Sequence, residues 1–497
     1  LETKKNNFLA SIYYGKKNIG VSFLDISTGE FLVAEGKADY VDKLLQSLRP
    51  TEVIYQKNKR RKFEEDFGTS FYTYMLDDWA FTADYTRDLL HKQFDANSLK
   101  GFGISDLEEG VIAAGVALHY LNETQHHQTK HILSISRIEE EKYVWMDRFT
   151  IRNLELFYSP NEGAKTLIDV LDDTKSVMGS RMLRRWLALP LKNEKQISVR
   201  HNIVEQMLTD DKLSEVISEE IAKIGDLERL ISKVATQRIN PRECGRLKDA
   251  LIALKPIQEI CSASGKDLQK LTSKINICES IKERIANELS DNPPMLLHKG
   301  NVIKEGVNTE LDELRSIQNS GKEYLDKMLE REIERTGISS LKISFNNVFG
   351  YYLEVRNRFK DQVPEEWIRK QTLVSAERYI TEELKEYEYK ILSAEGRISE
   401  IETQIFSELV QSIAVHIQQI QLNASIISQL DCLLSFSSIA NKHNYSKPNV
   451  NNSSDLAIKK GRHAVIEQQL EMGEPYIPND VNLNRELQQI MMITGPN

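Results

Sequence analysis

At 497 residues the chain is too long for one hydrophobic core and is expected to form about three or four domains. Its hydrophobic content is 40% and no run of about 18 apolar residues occurs, which argues against a membrane span and, with no leader pattern at Leu1, points to the cytoplasm. Lysines and arginines number 65 against 74 acidic residues, a net of −9, so the chain does not coat nucleic acid along its whole surface, although a local basic site stays open.

The first 120 or so residues alternate strands and helices. Residues 7–14 and 19–25 read as strands joined by the turn Gly15-Lys16-Lys17-Asn18, and 30–34 as a third strand after Ser27-Thr28-Gly29. Residues 40–48 have helical spacing, 53–55 and 71–75 look like further strands, and 111–121 form a helix of small residues. Three antiparallel strands followed by alternating helix and strand is an RNase H-like order. Two-metal hydrolysis would need converging carboxylates, usually one of them in the first strand, and residues 8–14 carry none. Asp25 suits the turn before Ser27-Thr28-Gly29, so the domain reads as a connector rather than a nuclease.

From about 131 to 297 the pattern is mainly helical. Gly179 lies inside a helical run, where it costs about 1 kcal/mol against Ala, and close helix packing is the usual reason to keep it. Arg181, Arg184 and Arg185 follow at spacings that fit a solvated face or an interdomain contact better than a phosphate site. Cys244, Cys261, Cys278 and Cys432 include no C-x-x-C pair, as suits a reducing compartment. His127 and His131, with His126 alongside, have i,i+4 spacing but no third ligand, so a polar helix face is expected and no metal.

Two long helices dominate the second half. Leu311, Leu314, Ile317, Tyr324, Leu325, Met328 and Ile333 keep an apolar stripe up to a stop at Thr336-Gly337. Returning, Leu384, Tyr387, Ile391, Ala394, Ile398, Ile401 and Ile405 alternate three and four apart, and apolar residues continue to Leu434, so one helix of some fifty residues, about 75 Å, is predicted from Glu382. Between them, alternation over 341–355 reads as a β-hairpin on the end of the helices. From Leu341 to Arg378 there are seven basic and five acidic residues, and a small basic β tip on a long arm suits gripping a phosphate backbone without reading bases. The alternative is a structural coiled-coil arm whose tip binds protein. At the far end, 489–494 read as a buried apolar strand running into Gly495-Pro496-Asn497, the way a phosphate-binding loop begins; with Leu1 in place of Met at the start, both ends read as cut.

Several stretches carry a more specific likeness. The run from Gly20-Val21-Ser22 to Gly29-Glu30-Phe31 resembles the connector domain of the MutS family of DNA mismatch-repair ATPases. Asn153-Leu154-Glu155-Leu156 and Met178-Gly179-Ser180-Arg181 resemble the start of that family's core, and Gly225-Asp226-Leu227-Glu228 with Asn240-Pro241-Arg242 its lever. Phe349-Gly350-Tyr351-Tyr352 and Ala376-Glu377-Arg378-Tyr379 are similar to its clamp. Arg462-His463-Ala464, Tyr476-Ile477-Pro478-Asn479 and Thr494-Gly495-Pro496-Asn497 resemble the start of its ATPase domain, with Ala464 where the family usually has Pro. The likeness is ordered and spans the whole chain.

That resemblance implies a multidomain, mainly α protein with α/β parts. It would comprise an RNase H-like connector (1–122), a core and lever domain (123–306), a β-tipped clamp (307–398), the returning core helix (399–445) and the first part of a P-loop ATPase domain (446–497). It implies a dimer that encircles double-stranded DNA, senses a mispair, becomes a sliding clamp on binding ATP and Mg²⁺, and recruits MutL. A meiotic-type homologue without mismatch reading is the nearest alternative. Tyr476 and Ile477 would face the adenine, and Gly495, Pro496 and Asn497 the nucleotide phosphates. Lys342, Asn346, Asn347, Arg369 and Arg378 are the candidate clamp contacts to the DNA backbone. The family's Phe-X-Glu mismatch reader would precede Leu1; Phe63-Glu64-Glu65 and Phe406-Ser407-Glu408 match its three letters only by chance. Lacking the Walker A Lys and Ser/Thr and Walker B, this stretch is expected to have no catalytic residue, to bind no cofactor firmly, and neither to hydrolyse ATP nor to recognise mispairs.

Overall fold

The computed structural model describes every residue except 1, 125–128, 162, 347–349, 471–473 and 495–497, and describes 319–322 by backbone alone. The chain divides into two compact units. One holds residues 1–239, 246–279 and 413–497, the other 240–245 and 280–412.

The first unit begins with a six-stranded sheet. Strands β1 (Leu9–Tyr14), β2 (Ile19–Asp25) and β3 (Glu30–Gly36) are antiparallel neighbours. After helix α1 (Ala38–Leu48), β4 (Glu52–Gln56) returns parallel to β1; after α2 (Arg60–Phe67), β5 (Thr73–Leu76) lies parallel to β4. Helices α3 (Ala83–Phe94) and α4 (Glu108–Glu123) follow, and the short β6 (Ser136–Arg137) closes the order β5-β4-β1-β2-β3-β6. Every residue of β2 is buried, because helices cover both faces, which is why it is a nearly unbroken apolar run rather than an alternating one. On one face α4 lies close enough that a Cβ on Gly20 would sit 2.0 Å from the Glu109 carbonyl oxygen. On the other, Phe63 of α2 stacks on Tyr55 with ring centroids 4.2 Å apart. Phe63 is thus a core residue, as is Phe406, so neither Phe-X-Glu match offers a ring to a ligand.

Asp25 accepts hydrogen bonds from Ser27 N and Ser27 Oγ through Oδ1 and from Asn6 Nδ2 and Asn7 N through Oδ2, the work of a turn residue. His131 does not lie on a helix: it is buried in a turn, with Nε2 2.7 Å from the Ile26 carbonyl, and burial lowers its pKa. His126 and His127 fall outside the described residues.

Helices α5 (Arg148–Asn153) and α6 (Leu167–Leu171) are short, and α7 (Val177–Ala188) starts the helical body. It continues through α8 (Glu194–Thr209), α9 (Asp211–Ile224), α10 (Leu227–Ala235), α11 (Pro241–Ser262) and α12 (Lys266–Thr272).

The second unit carries α13 (Glu279–Glu288), α14 (Thr309–Thr336) and α15 (Glu382–Ala414). Asn308 caps the start of α14 by accepting from Leu311 N, and Gly337 ends it in the left-handed region at φ 70°, its N–H bonded to the Ile333 carbonyl. The two long helices are tied by stacked Tyr324 and Tyr387 and by Arg397 on Glu310 at 2.7 Å. A fully buried carboxylate, Glu402, accepts from Arg315 and from Val302 N.

The return path differs from the single helix predicted. It breaks at Val415 and His416, and α16 (Ile417–His443) is a separate helix of the first unit. Ile413, Ile417 and Ile420 are all buried, so the apolar rhythm runs through the break without a glycine or proline to mark it. The 489–494 segment also departs from expectation: among the described residues there is no strand in it, and Ile490, Met492 and Ile493 are exposed. A strand needs a neighbour for its backbone donors and acceptors, and the only sheet described beyond α16 is the two-stranded β-ladder of 456–461 with 479–483, which does not pair with it.

Candidate nucleic-acid interface

Between α14 and α15 the structure holds four strands, two more than the hairpin read from sequence. They are β7 (Lys342–Asn346), β8 (Gly350–Arg356), β9 (Ile368–Thr372) and β10 (Ala376–Ile380), in the antiparallel order β7-β8-β10-β9. Leu353, Val355 and Tyr379 on one face pack with Leu341, Trp367, Met328 of α14 and Leu384 of α15, which seats the sheet on the helices. Gly350 takes φ 75°, in the left-handed region that favours glycine over a residue with a Cβ. The turn 347–349, with candidate Asn347, lies outside the described residues.

Residues directly opposite in antiparallel strands share a face, so the register fixes what stands together. Lys342 pairs with Glu354, Glu354 with Arg378, and Arg378 with Gln371, which makes one polar row across all four strands. Asn346, two residues along β7 from Ser344, belongs to the same face. Arg369 stands opposite Tyr379 and so belongs to the other face, on the edge strand.

Their electrostatic states differ as well. Arg378 donates to Gln371 Oε1 at 2.9 Å, reaches Glu354 Oε2 at 3.4 Å and lies 4.4 Å over the Tyr352 ring. Arg369 faces Glu377 Oε1 at 3.4 Å. Lys342 is exposed and has no carboxylate partner among the described residues; the same holds for Arg356, Arg358, Lys360 and Lys370. By sequence, these last four stand only in the neighbourhood of the candidates. No local signal singles them out, since Arg358 has Glu354 and Asp361, and Lys370 has Glu366, three or four residues away, and ion pairing across strands is invisible without the register. The open cations thus lie on β7, at the end of β8, in the 357–362 turn and on β9, around the row that Arg378 holds together.

The second group of candidates is more dispersed. Tyr476 is half-buried and Ile477 is 79% exposed, in an extended segment just before the 479–483 strand. Gly495, Pro496 and Asn497 lie outside the described residues. No helix among the described residues is long and apolar enough to cross a membrane.

An α/β domain, a helical body and a β tip on paired long helices define a multidomain α and α/β protein, which comparison with known families places more closely. The MutS domain II model matches residues 7–133 and the MutS domain III model residues 149–437. The chain belongs to the MutS family. It is 54% identical over its whole length to the DNA mismatch repair protein MutS of Flavobacterium johnsoniae, covering 57% of that protein, and 55% identical to that of Flavobacterium psychrophilum, covering 58%. The same-named protein of Bacteroides thetaiotaomicron is 54% identical, with 58% covered. The chain therefore spans somewhat over half the length of the curated relatives it matches.

Proposed function

We propose that this chain is the connector, core and clamp portion of a MutS-type protein acting in DNA mismatch repair, and that the β7–β10 sheet grips the phosphate backbone of duplex DNA. The observation that carries this reading is the set of five exposed cations without carboxylate partners among the described residues, Lys342, Arg356, Arg358, Lys360 and Lys370, in a chain whose net charge is −9. Cations left open against that average are available to replace the counterions of a phosphate backbone. The mixed strand and turn placement suits contact with phosphates rather than with base edges.

In the whole protein, Tyr476 and Ile477 would pack on the adenine of ATP, with Gly495, Pro496 and Asn497 around its phosphates and Mg²⁺ alongside. A homodimer would close around the DNA, and MutL would be its partner downstream. The names of the relatives, which match over the whole of this chain, support mismatch repair over a meiotic-type role.

The test is duplex binding by the chain as a function of salt. Fluorescence anisotropy should show affinity falling linearly on log–log axes, and alanine at Arg356, Arg358, Lys360 and Lys370 together should lower the slope by about three to four, since each neutralised phosphate contributes roughly 0.9. A slope unchanged by those four substitutions, or no duplex binding at low salt, would leave the tip as a protein-binding arm.

A further inference from the structure

Within the first unit a cavity of about 820 Å³ opens between the β3–β6 edge of the sheet and the helices α7, α8, α12 and α16. Its floor is apolar, including Leu32, Ile426 and Leu433, and its walls carry six cations and only two carboxylates. That imbalance is opposite to the charge of the chain as a whole.

Both carboxylates are already occupied. Glu30 pairs with Arg185 and accepts from Asn6, and Asp267 accepts from Asn202 at 2.9 Å. Arg137 is held by Asp106 at 2.7 Å. Lys142, Arg200, Lys270 and Lys274 remain, and none has a carboxylate partner among the described residues. Arg200 is the telling member. Its guanidinium lies 3.4 Å from the centroid of the Trp186 ring, and burial lowers its pKa to about 10. A largely buried cation is costly without a counter-charge, and the cation–π contact supplies only part of what a carboxylate would.

We infer that this cavity binds a phosphate-bearing small anion, held by Arg200 with Lys142, Lys270 and Lys274. Four cations lining one cavity exceed what a single carboxylate can neutralise, whereas a diphosphate presents several charges and many acceptor oxygens to a guanidinium fork and ammonium groups. The volume lies within the range of sites for nucleotide-sized ligands. The anion is either free pyrophosphate or the phosphate tail of a nucleoside diphosphate. Its lining includes neither the β7–β10 strands nor Tyr476, and the inference does not depend on the function proposed above.

Isothermal titration of the chain with pyrophosphate, and separately with ADP, decides the matter. Saturable binding is expected, weakened about tenfold or more by Lys270→Gln with Lys274→Gln, which are exposed side chains whose change leaves the fold intact, and further by Arg200→Gln. Arg60→Gln with Arg61→Gln on α2, a like loss of charge elsewhere, should leave the affinity as it was. Tighter binding of ADP would assign the nucleotide as the source, and tighter binding of pyrophosphate the free anion. Absence of saturable binding by either, or an affinity indifferent to the lysine pair, overturns the inference.

Discussion

Two sets of arginines, one at the α7–α10 junction and one at the β7–β10 sheet, put the same side chain to opposite uses. At the junction Arg181 has 2% of its side chain exposed and is closed on every side: Asp226 at 2.7 Å, Glu228 at 2.6 Å and the Thr3 carbonyl at 2.8 Å. Burial pulls its pKa down, but the hydrogen bonds and charges of the two acids more than reverse this and raise it. At the sheet, Arg356 and Arg358 are exposed and have no acid partner among the described residues. Arginines that are fully partnered hold the fold, and arginines that are not are available to a ligand. A sequence cluster such as Arg181, Arg184 and Arg185 cannot be sorted by charge alone, since what decides is where the acids come to rest in space.

The comparison breaks most decisively at Arg181. Changing it to Met keeps much of the volume but strands Asp226 and Glu228 beside each other in a partly buried site. Removing one partner of a buried pair costs about 3–5 kcal/mol, and urea unfolding of the first unit should show a loss of that order. A loss below about 1 kcal/mol would mean the carboxylates relax into water and the junction is not closed.

A second closed charge gives a smaller and pH-dependent effect. Asp431 of α16 is fully buried and docks the start of α7: Oδ1 accepts from Lys175 N, and Oδ2 from Ser176 N and Ser176 Oγ, each within 2.8 Å. A Cβ on Gly179 would stand 2.1 Å from Oδ2, which is why a glycine sits inside that helix. Burial raises the Asp431 pKa from 3.8 to about 6 in spite of the three donors. The folded state therefore binds this proton more tightly than the unfolded one. The resulting stability is fully present below about pH 4 and lost as pH rises through about 6, a swing on the order of 3 kcal/mol. Relative to Asp431→Asn, the unaltered chain should gain stability as pH falls from about 7 to about 4, read from paired urea melts. A difference independent of pH would show that the carboxyl titrates at its ordinary value.

The same division explains what could be read without coordinates. The connector strands were legible because β1 and β2 are regular runs flanking a polar turn, and α14 because a clear stripe ends at Gly337. Gly179 announced close packing, although not that its neighbour would be Asp431, far along the chain. Strand β9 was missed because Ile368–Thr372 is exposed and polar nearly throughout, and β10 because Ala376–Ile380 is buried along almost its whole length, so neither shows the alternation that marks a half-buried strand. The break at Val415 was missed because buried Ile413, Ile417 and Ile420 keep the helical rhythm on both sides of it. Among the clamp candidates, Lys342 could be chosen from local charge, but the engagement of Arg369 and Arg378 depends on cross-strand partners, and no local pattern encodes that.

Arg378 offers the finest test of the division, because it sits in the open region yet behaves like a closed residue. Only 18% of its side chain is exposed, and it joins three strands through Gln371, Glu354 and the Tyr352 ring. Arg378→Gln should cost about 1 kcal/mol of stability in the second unit, because the Tyr352 ring and a partly screened ion pair no longer hold a cation. If its guanidinium is spent on the sheet, the salt slope of duplex binding should stay within error of the parent, while Lys370→Ala lowers it by about one. A fall for Arg378→Gln equal to that for Lys370→Ala would mean the guanidinium leaves Glu354 for phosphate when DNA is present, and that a partnered arginine can still serve a ligand.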